Sequence, residues 1–183
     1  MNTVEAAEAV LMYGVIPLWI AAGLADWACH RSTQIERTSG LRENLLHWLL
    51  LAQGGLVLLA VAVFEVDAAL LLIAFAGFLA HELTTYVELR YTVDKRTVRP
   101  VEQMVHSFLE LMPLALLALL AVMAWDQVLA LFDAGEPDFG LQAKADPWPP
   151  AYLAAAGLAV LVLNVLPMVE ETIRCVRAPR RRG

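Results

Sequence analysis

The sequence predicts an all-α integral membrane bundle of five transmembrane helices, with the N-terminus outside and the C-terminus in the cytoplasm. Three observations predict it. Of the 183 residues, 60% are hydrophobic and only 17% are charged, against about 25% charged in soluble domains. The charges are clustered, so a mean hydropathy of +0.61 comes from long stretches nearly free of them. Five of those stretches meet the roughly 20 apolar residues a helix needs to cross a bilayer. The net charge of −6 says less than this distribution does.

The expected helices lie at approximately 9–29, 45–64, 68–89, 104–125 and 151–173 of a single transmembrane domain, 1–183. The second, NLLHWLLLAQGGLVLLAVAVF, and the fifth, AYLAAAGLAVLVLNVLP, are the clearest. No period-2 alternation appears, which argues against strands and against a β-barrel. Residues 1–8 hold Glu5 and Glu8 but no Lys or Arg, so no cleaved signal peptide is expected. Pro100 is expected to start the fourth helix, and Pro113 to kink it and give a cavity room. An acidic loop, 126–150, is expected to fold over the outer surface, with Trp125 and Trp148 as interfacial anchors.

Orientation follows from the basic residues, which collect in cytoplasmic loops. Five spans put Arg31, Arg37, Arg42, Arg90, Lys95, Arg96, Arg99, Arg174, Arg177, Arg180, Arg181 and Arg182 on one side, leaving Lys144 alone on the other. A wrong span count would scatter them. A bacterial-type inner (plasma) membrane is the expected location. The basic tail, 174–183, reads as an anchor to anionic lipid rather than a nucleic-acid site, because it abuts a span and has no aromatic platform. Cys29 and Cys175 fall at the cytoplasmic side, where thiols stay reduced. Packing is their simplest role, with Cys29, beside His30, also a ligand candidate.

Ionisable groups inside spans are costly and mark function. All four histidines, His30, His47, His81 and His106, lie in the cytoplasmic halves of four different helices, each accompanied by a carboxylate. The pattern reads Asp26-x-x-x-His30, Glu43-x-x-x-His47, His81-Glu82 and Glu102-x-x-x-His106-x-x-x-Glu110. A spacing of four places both side chains on one helix face. His81, Thr85 and Glu88 share one stripe of the third helix; Glu82 and Tyr86 share the next. Measured inward from the nearest arginine, Asp26, His47, Glu82 and His106 reach roughly 7–12 Å at 1.5 Å per residue. Four helices thus bring His and carboxylate groups to one layer. Helix five offers Asn164, Glu170 and Glu171, with Glu170 and Arg174 read as a surface pair. Glu36, Glu88 and Asp94 read as partners of nearby arginines.

Three readings compete: a buried polar network that fixes packing, a b-type haem on two of the histidines, and a metal site with mixed imidazole and carboxylate ligands. The last is favoured, because buried carboxylates without a cation carry a high desolvation cost. Eight candidate ligands, Asp26, His30, Glu43, His47, His81, Glu82, Glu102 and His106, exceed what one zinc ion takes and suit two metals.

In plan the segment 26–110 resembles the di-metal carboxylate bundles, in particular the membrane-bound di-iron oxidases and hydroxylases. Its pairs are Glu-x-x-x-His rather than Glu-x-x-His, and the His boxes of membrane desaturases are absent. The resemblance implies two metal ions, iron first, with Zn or Mn as alternatives. It also implies an oxidoreductase acting on a lipid-soluble substrate such as an acyl chain or quinone. Glu110 and Tyr86 are the candidates for proton transfer or catalysis beside the metals. Expected partners are a membrane lipid or quinone-like molecule, a redox partner and a second copy in a homo-oligomer, but no nucleic acid. Alternatives are a di-zinc lipid hydrolase and a metal or proton transporter. The transporter needs polar residues across the whole span, and the outer halves of helices two to four lack them.

Overall fold

The computed structural model describes residues 1–178; Arg180, Arg181 and Arg182 of the expected basic tail lie outside the described residues. Five helices are long and apolar enough to cross a membrane: α1, Thr3–Thr33; α2, Leu41–Val63; α3, Ala68–Thr92; α4, Pro100–Met123; and α5, Pro150–Arg177. Most outrun the expected spans, because the helix continues past the apolar stretch through polar residues that still form good turns.

Local chemistry sets the ends. Asn2 and Glu5 form a capping box at the start of α1, each side chain accepting the other's backbone N–H. Asp67 accepts the Leu70 N–H at 2.7 Å to cap α3, and Pro100 opens α4 as expected. Gly40 enters α2 with φ of 66°, a conformation open to glycine and strained for other residues.

Two helices carry a wider turn. In α1 the π-helical stretch Leu11–Val15 precedes Pro17, and in α5 Leu161–Val165 precedes Pro167. A proline ring clashes with the carbonyl four residues back and has no N–H to donate. Those carbonyls belong to Tyr13 and Leu163, inside the two π stretches, where bonding shifts by one residue and relieves the clash. Pro113 behaves differently: α4 continues through it as α-helix.

The helices pack as a ring in the order α1, α4, α3, α2, α5 and back to α1. One end of the ring holds the two arginine-bearing loops. Toward the other end the interior is filled by Leu11, Ile16, Val61, Leu70, Leu71, Leu116 and Leu120. Trp19 crosses the middle; a Cβ on Gly54 would stand 2.9 Å from its ring. The segment 126–150, which begins in the short helix Trp125–Ala130, folds back against the end of α2. Phe64 pairs with Ala143 in an antiparallel bridge, and the Lys144 N–H donates to the Val63 carbonyl at 2.9 Å.

Trp125, 57% exposed, keeps a position suited to an interface, but Trp148 is only 4% exposed and joins the core. A Trp favours interfaces because its N–H seeks a polar partner. Here Glu8 of α1 supplies that partner, accepting the Trp148 indole N–H at 2.5 Å beside Lys144 Nζ at 3.4 Å.

Candidate metal centre

At the arginine-rich end, the ring closes around a cluster of titratable side chains. The i, i+4 pairs predicted from the sequence face inward together. Asp26 and His30 come from α1, Glu43 and His47 from α2, and Glu102 and His106 from α4; all are buried except His47, which is half-buried. His30 is at the centre. Its Nε2 lies 3.5 Å from Asp26 Oδ1, 3.8 Å from Glu43 Oε1 and 3.5 Å from Glu102 Oε1. Its ring stacks on His47 with centroids 4.5 Å apart. His106 Nε2 approaches Asp26 Oδ1 at 2.9 Å, yet neither atom is aligned in a hydrogen bond.

Two triads have ligand atoms within 4.8 Å of one another: Asp26, His30 and His106, and His30, Glu43 and His47. Five enclosed atoms of this cluster make no hydrogen bond: Asp26 Oδ1, His30 Nε2, His47 Nδ1, Glu102 Oε2 and His106 Nε2. Buried polar atoms are normally paired. Carboxylate oxygens and imidazole nitrogens gathered this closely are an arrangement that a bound cation, or a proton on an imidazole, satisfies.

His30 is held from behind. Its Nδ1 lies 3.2 Å from Glu171 Oε2, the carboxylate–histidine contact that orients a metal-binding imidazole. Glu171 Oε1 accepts from Asn44 Nδ2 at 2.9 Å, the Thr172 hydroxyl donates to Asn44 Oδ1 at 2.8 Å, and Trp48 Nε1 donates to Thr172 Oγ1 at 2.9 Å. The Thr172 hydroxyl also lies 2.8 Å from the Met168 carbonyl, so its one proton is shared between two acceptors, whereas the Glu171 carboxylate can only accept.

Arg96 is the second element missed by sequence reasoning. It leaves the α3–α4 loop and turns inward, with its side chain 4% exposed. Nη2 contacts Glu43 Oε1 at 2.6 Å and Glu102 Oε1 at 2.5 Å, and Nε donates to Glu43 Oε2 at 3.2 Å. Burial opposes its charge, but these two carboxylates outweigh that and hold its pKa above the usual arginine value.

Other expected residues stand elsewhere. His81, Thr85 and Glu88 line the cavity, as one stripe of α3 should, while Glu82 and Tyr86 do not. His81 belongs to neither triad; it meets Trp19 edge-on, with centroids 6.5 Å apart. Tyr86 is 61% exposed on the bundle's outer face. Glu88 accepts from the Thr92 hydroxyl at 2.7 Å rather than pairing with an arginine. Glu36 does pair with Arg174, and Glu170 meets Arg174 at 3.0 Å as expected. Both cysteines are free, and neither joins a ligand group among the described residues.

Asp26, His30, His47 and His106 of the cluster line a cavity of about 170 Å³ reached by all five helices. Glu110 and Asn164 stand on its wall, and the remaining lining is mainly apolar, including Ile20, Leu51, Leu109 and Met168. Comparison with protein-family models, curated proteins and solved structures finds no match to this chain.

Proposed function

We propose that the chain is a membrane-embedded, metal-dependent oxidoreductase whose two-metal centre acts on a lipid-soluble substrate. The observation that carries this reading is the pair of three-residue ligand groups that share His30, in which Asp26 Oδ1, His30 Nε2, His47 Nδ1 and His106 Nε2 make no hydrogen bond. Charge points the same way: Asp26, Glu43, Glu88, Glu102 and Glu171 are buried together, a surplus of carboxylates that divalent ions would offset. Asp26, His30 and His106 would hold one ion, with His47 and the carboxylates of Glu43 and Glu102 around the other. Iron suits mixed imidazole and carboxylate ligands and would supply oxygen activation. The protein's part is to orient His30 through Glu171, keep the cluster polar and offer an apolar wall to the substrate. Glu110, on that wall, would move a proton there.

A haem held by His30 and His106 is disfavoured because the Asp26 carboxylate lies 3.5 Å from His30 Nε2 and 2.9 Å from His106 Nε2. The packed apolar end, with Trp19 across the middle, favours a chamber shut at that end over a transport pathway. On this reading the arginine-rich end faces the cytoplasm of a bacterial-type inner membrane, and a redox partner docks there.

The test is elemental analysis with a visible spectrum of protein purified from metal-replete cells. Two iron atoms per chain are expected, with the one held by Asp26, His30 and His106 lost in His30→Ala and His106→Ala. Absence of stoichiometric metal would overturn the reading. A periplasmic-reporter fusion after residue 65 and a cytoplasmic one after residue 95 should both be active if the orientation is right.

A further inference from the structure

We infer that Arg96 is a latch on this centre: its guanidinium holds the place between Glu43 and Glu102 that the second divalent ion takes, and the ion's arrival frees the loop between α3 and α4. The inference rests on the metal reading above and adds a regulation to it.

Position comes first. A single atom, Arg96 Nη2, touches the Oε1 atoms of Glu43 on α2 and Glu102 on α4 at 2.6 and 2.5 Å. A bridging cation between two carboxylates would stand in the same gap. The guanidinium is also an incomplete match to its site: Nη1 is enclosed with no hydrogen-bond partner, which carries a desolvation cost that a permanent structural arginine would avoid. A divalent ion brings twice the charge to the same two carboxylates. Arginine stays protonated in proteins, so it leaves as a cation and the exchange needs no proton transfer.

The loop is built to respond. Lys95 and Arg96 N–H groups bond back to the Thr92 carbonyl at 2.8 and 3.0 Å, and residues 96–99 have no regular structure. Val93, Asp94, Lys95, Thr97 and Arg99 are exposed and Val98 is half-buried. The Arg96 side chain is therefore the main tie between this loop and the bundle interior. Once displaced, it takes Lys95, Arg96 and Arg99 into solvent together, so metal occupancy becomes legible at the surface.

The test uses the full chain in lipid nanodiscs, with Cys29→Ser and Cys175→Ala removing the native thiols and a nitroxide attached at Thr97→Cys. Zinc is titrated as a spectroscopically silent probe while calorimetry counts the ions bound. The spin label should be restrained in metal-free protein, unchanged by the first equivalent and severalfold more mobile after the second. Arg96→Gln should be mobile without metal and should bind the second ion at least tenfold more tightly. Binding of two equivalents with no change in label motion would overturn the latch and leave the metal centre standing. Failure of zinc to bind stoichiometrically would overturn the metal reading, and the latch with it. The titration of the Arg96-containing protein decides the matter even if the Arg96 variant does not fold.

Discussion

Replacing Glu171 with Gln should weaken metal binding through a single proton. One Glu171 oxygen accepts from Asn44 Nδ2 at 2.9 Å and the other faces His30 Nδ1 at 3.2 Å. With both oxygens accepting, His30 keeps its proton on Nδ1 and presents the Nε2 lone pair to the ligand cluster. A Gln has one acceptor and one donor end. Asn44 Nδ2 claims the oxygen, so the new NH₂ faces His30 Nδ1 and forces it to accept. The His30 proton then moves to Nε2, where it blocks the atom that faces Asp26, Glu43 and Glu102. Loss of such an orienting partner typically reduces metal affinity 10–100-fold, or about 1.4–2.8 kcal/mol. The assay is competition against a chelator of known affinity, read beside the Tm of the metal-free protein. The substitution is isosteric, so Tm should stay close to the parent value while Kd rises. Unchanged affinity in Glu171→Gln would falsify the tautomer argument, and a collapse of Tm alone would assign Glu171 to packing.

Three further outcomes separate the parts of the molecule. In Gly23→Ala the new Cβ would lie 2.5 Å from Asn164 Nδ2, which donates to the Ile20 carbonyl at 3.0 Å; overpacking of this kind costs about 1–3 kcal/mol. Its Tm should fall, while Gly157→Ala, with open space around it, should not lower Tm. Trp148→Phe removes the donor to Glu8, a charge-assisted bond worth about 1.5–3 kcal/mol, and should lower Tm with metal content intact. Tyr86→Phe, on the outer face, should change neither metal content nor Tm, and a loss of either would show that the outer face of α3 contributes to the site.

Most of the site was legible because its geometry is helical. Spacings of four put Asp26 with His30, Glu43 with His47 and Glu102 with His106 on common faces, and helix periodicity separated the His81, Thr85 and Glu88 stripe from Glu82 and Tyr86. Periodicity could not say which stripe faced inward, since that depends on neighbouring helices; the ring order turns the first toward the cavity. Glu171 was hidden for a related reason. It adjoins Glu170, which has an arginine at i+4, and nothing local distinguishes the residue facing Arg174 from the one facing His30. Arg96 was hidden by the positive-inside pattern, which treats every loop arginine alike. The available signal was a surplus of inward carboxylates over cations, which calls for a positive group without naming it. Trp148 was misplaced because its partner, Glu8, lies 140 residues away.

The contrast between the two ends of the bundle has an energetic basis. A buried carboxylate is tolerable only with a cation or several donors near it, so a layer of them needs a framework that cannot relax by letting helices separate. The opposite end provides one. There Leu11, Val61, Leu70 and Leu120 are fully enclosed, and Trp148, Lys144 and Glu8 tie α1 to the segment leading into α5. The π stretch of α1 lies within that packed end, that of α5 falls between it and the ligand cluster, and Asn164, inside the latter, fixes α5 to α1 through the Ile20 carbonyl. The helix that supplies Glu171 is thus anchored to the helix that supplies His30, both at the π turn and at the far end. Their 3.2 Å contact is set by packing along the bundle as well as by local charge. Loosening the packed end should therefore degrade metal affinity only when the α1–α5 spacing changes. Gly23→Ala, which acts at that spacing, should affect metal binding more than Trp148→Phe for the same loss of Tm.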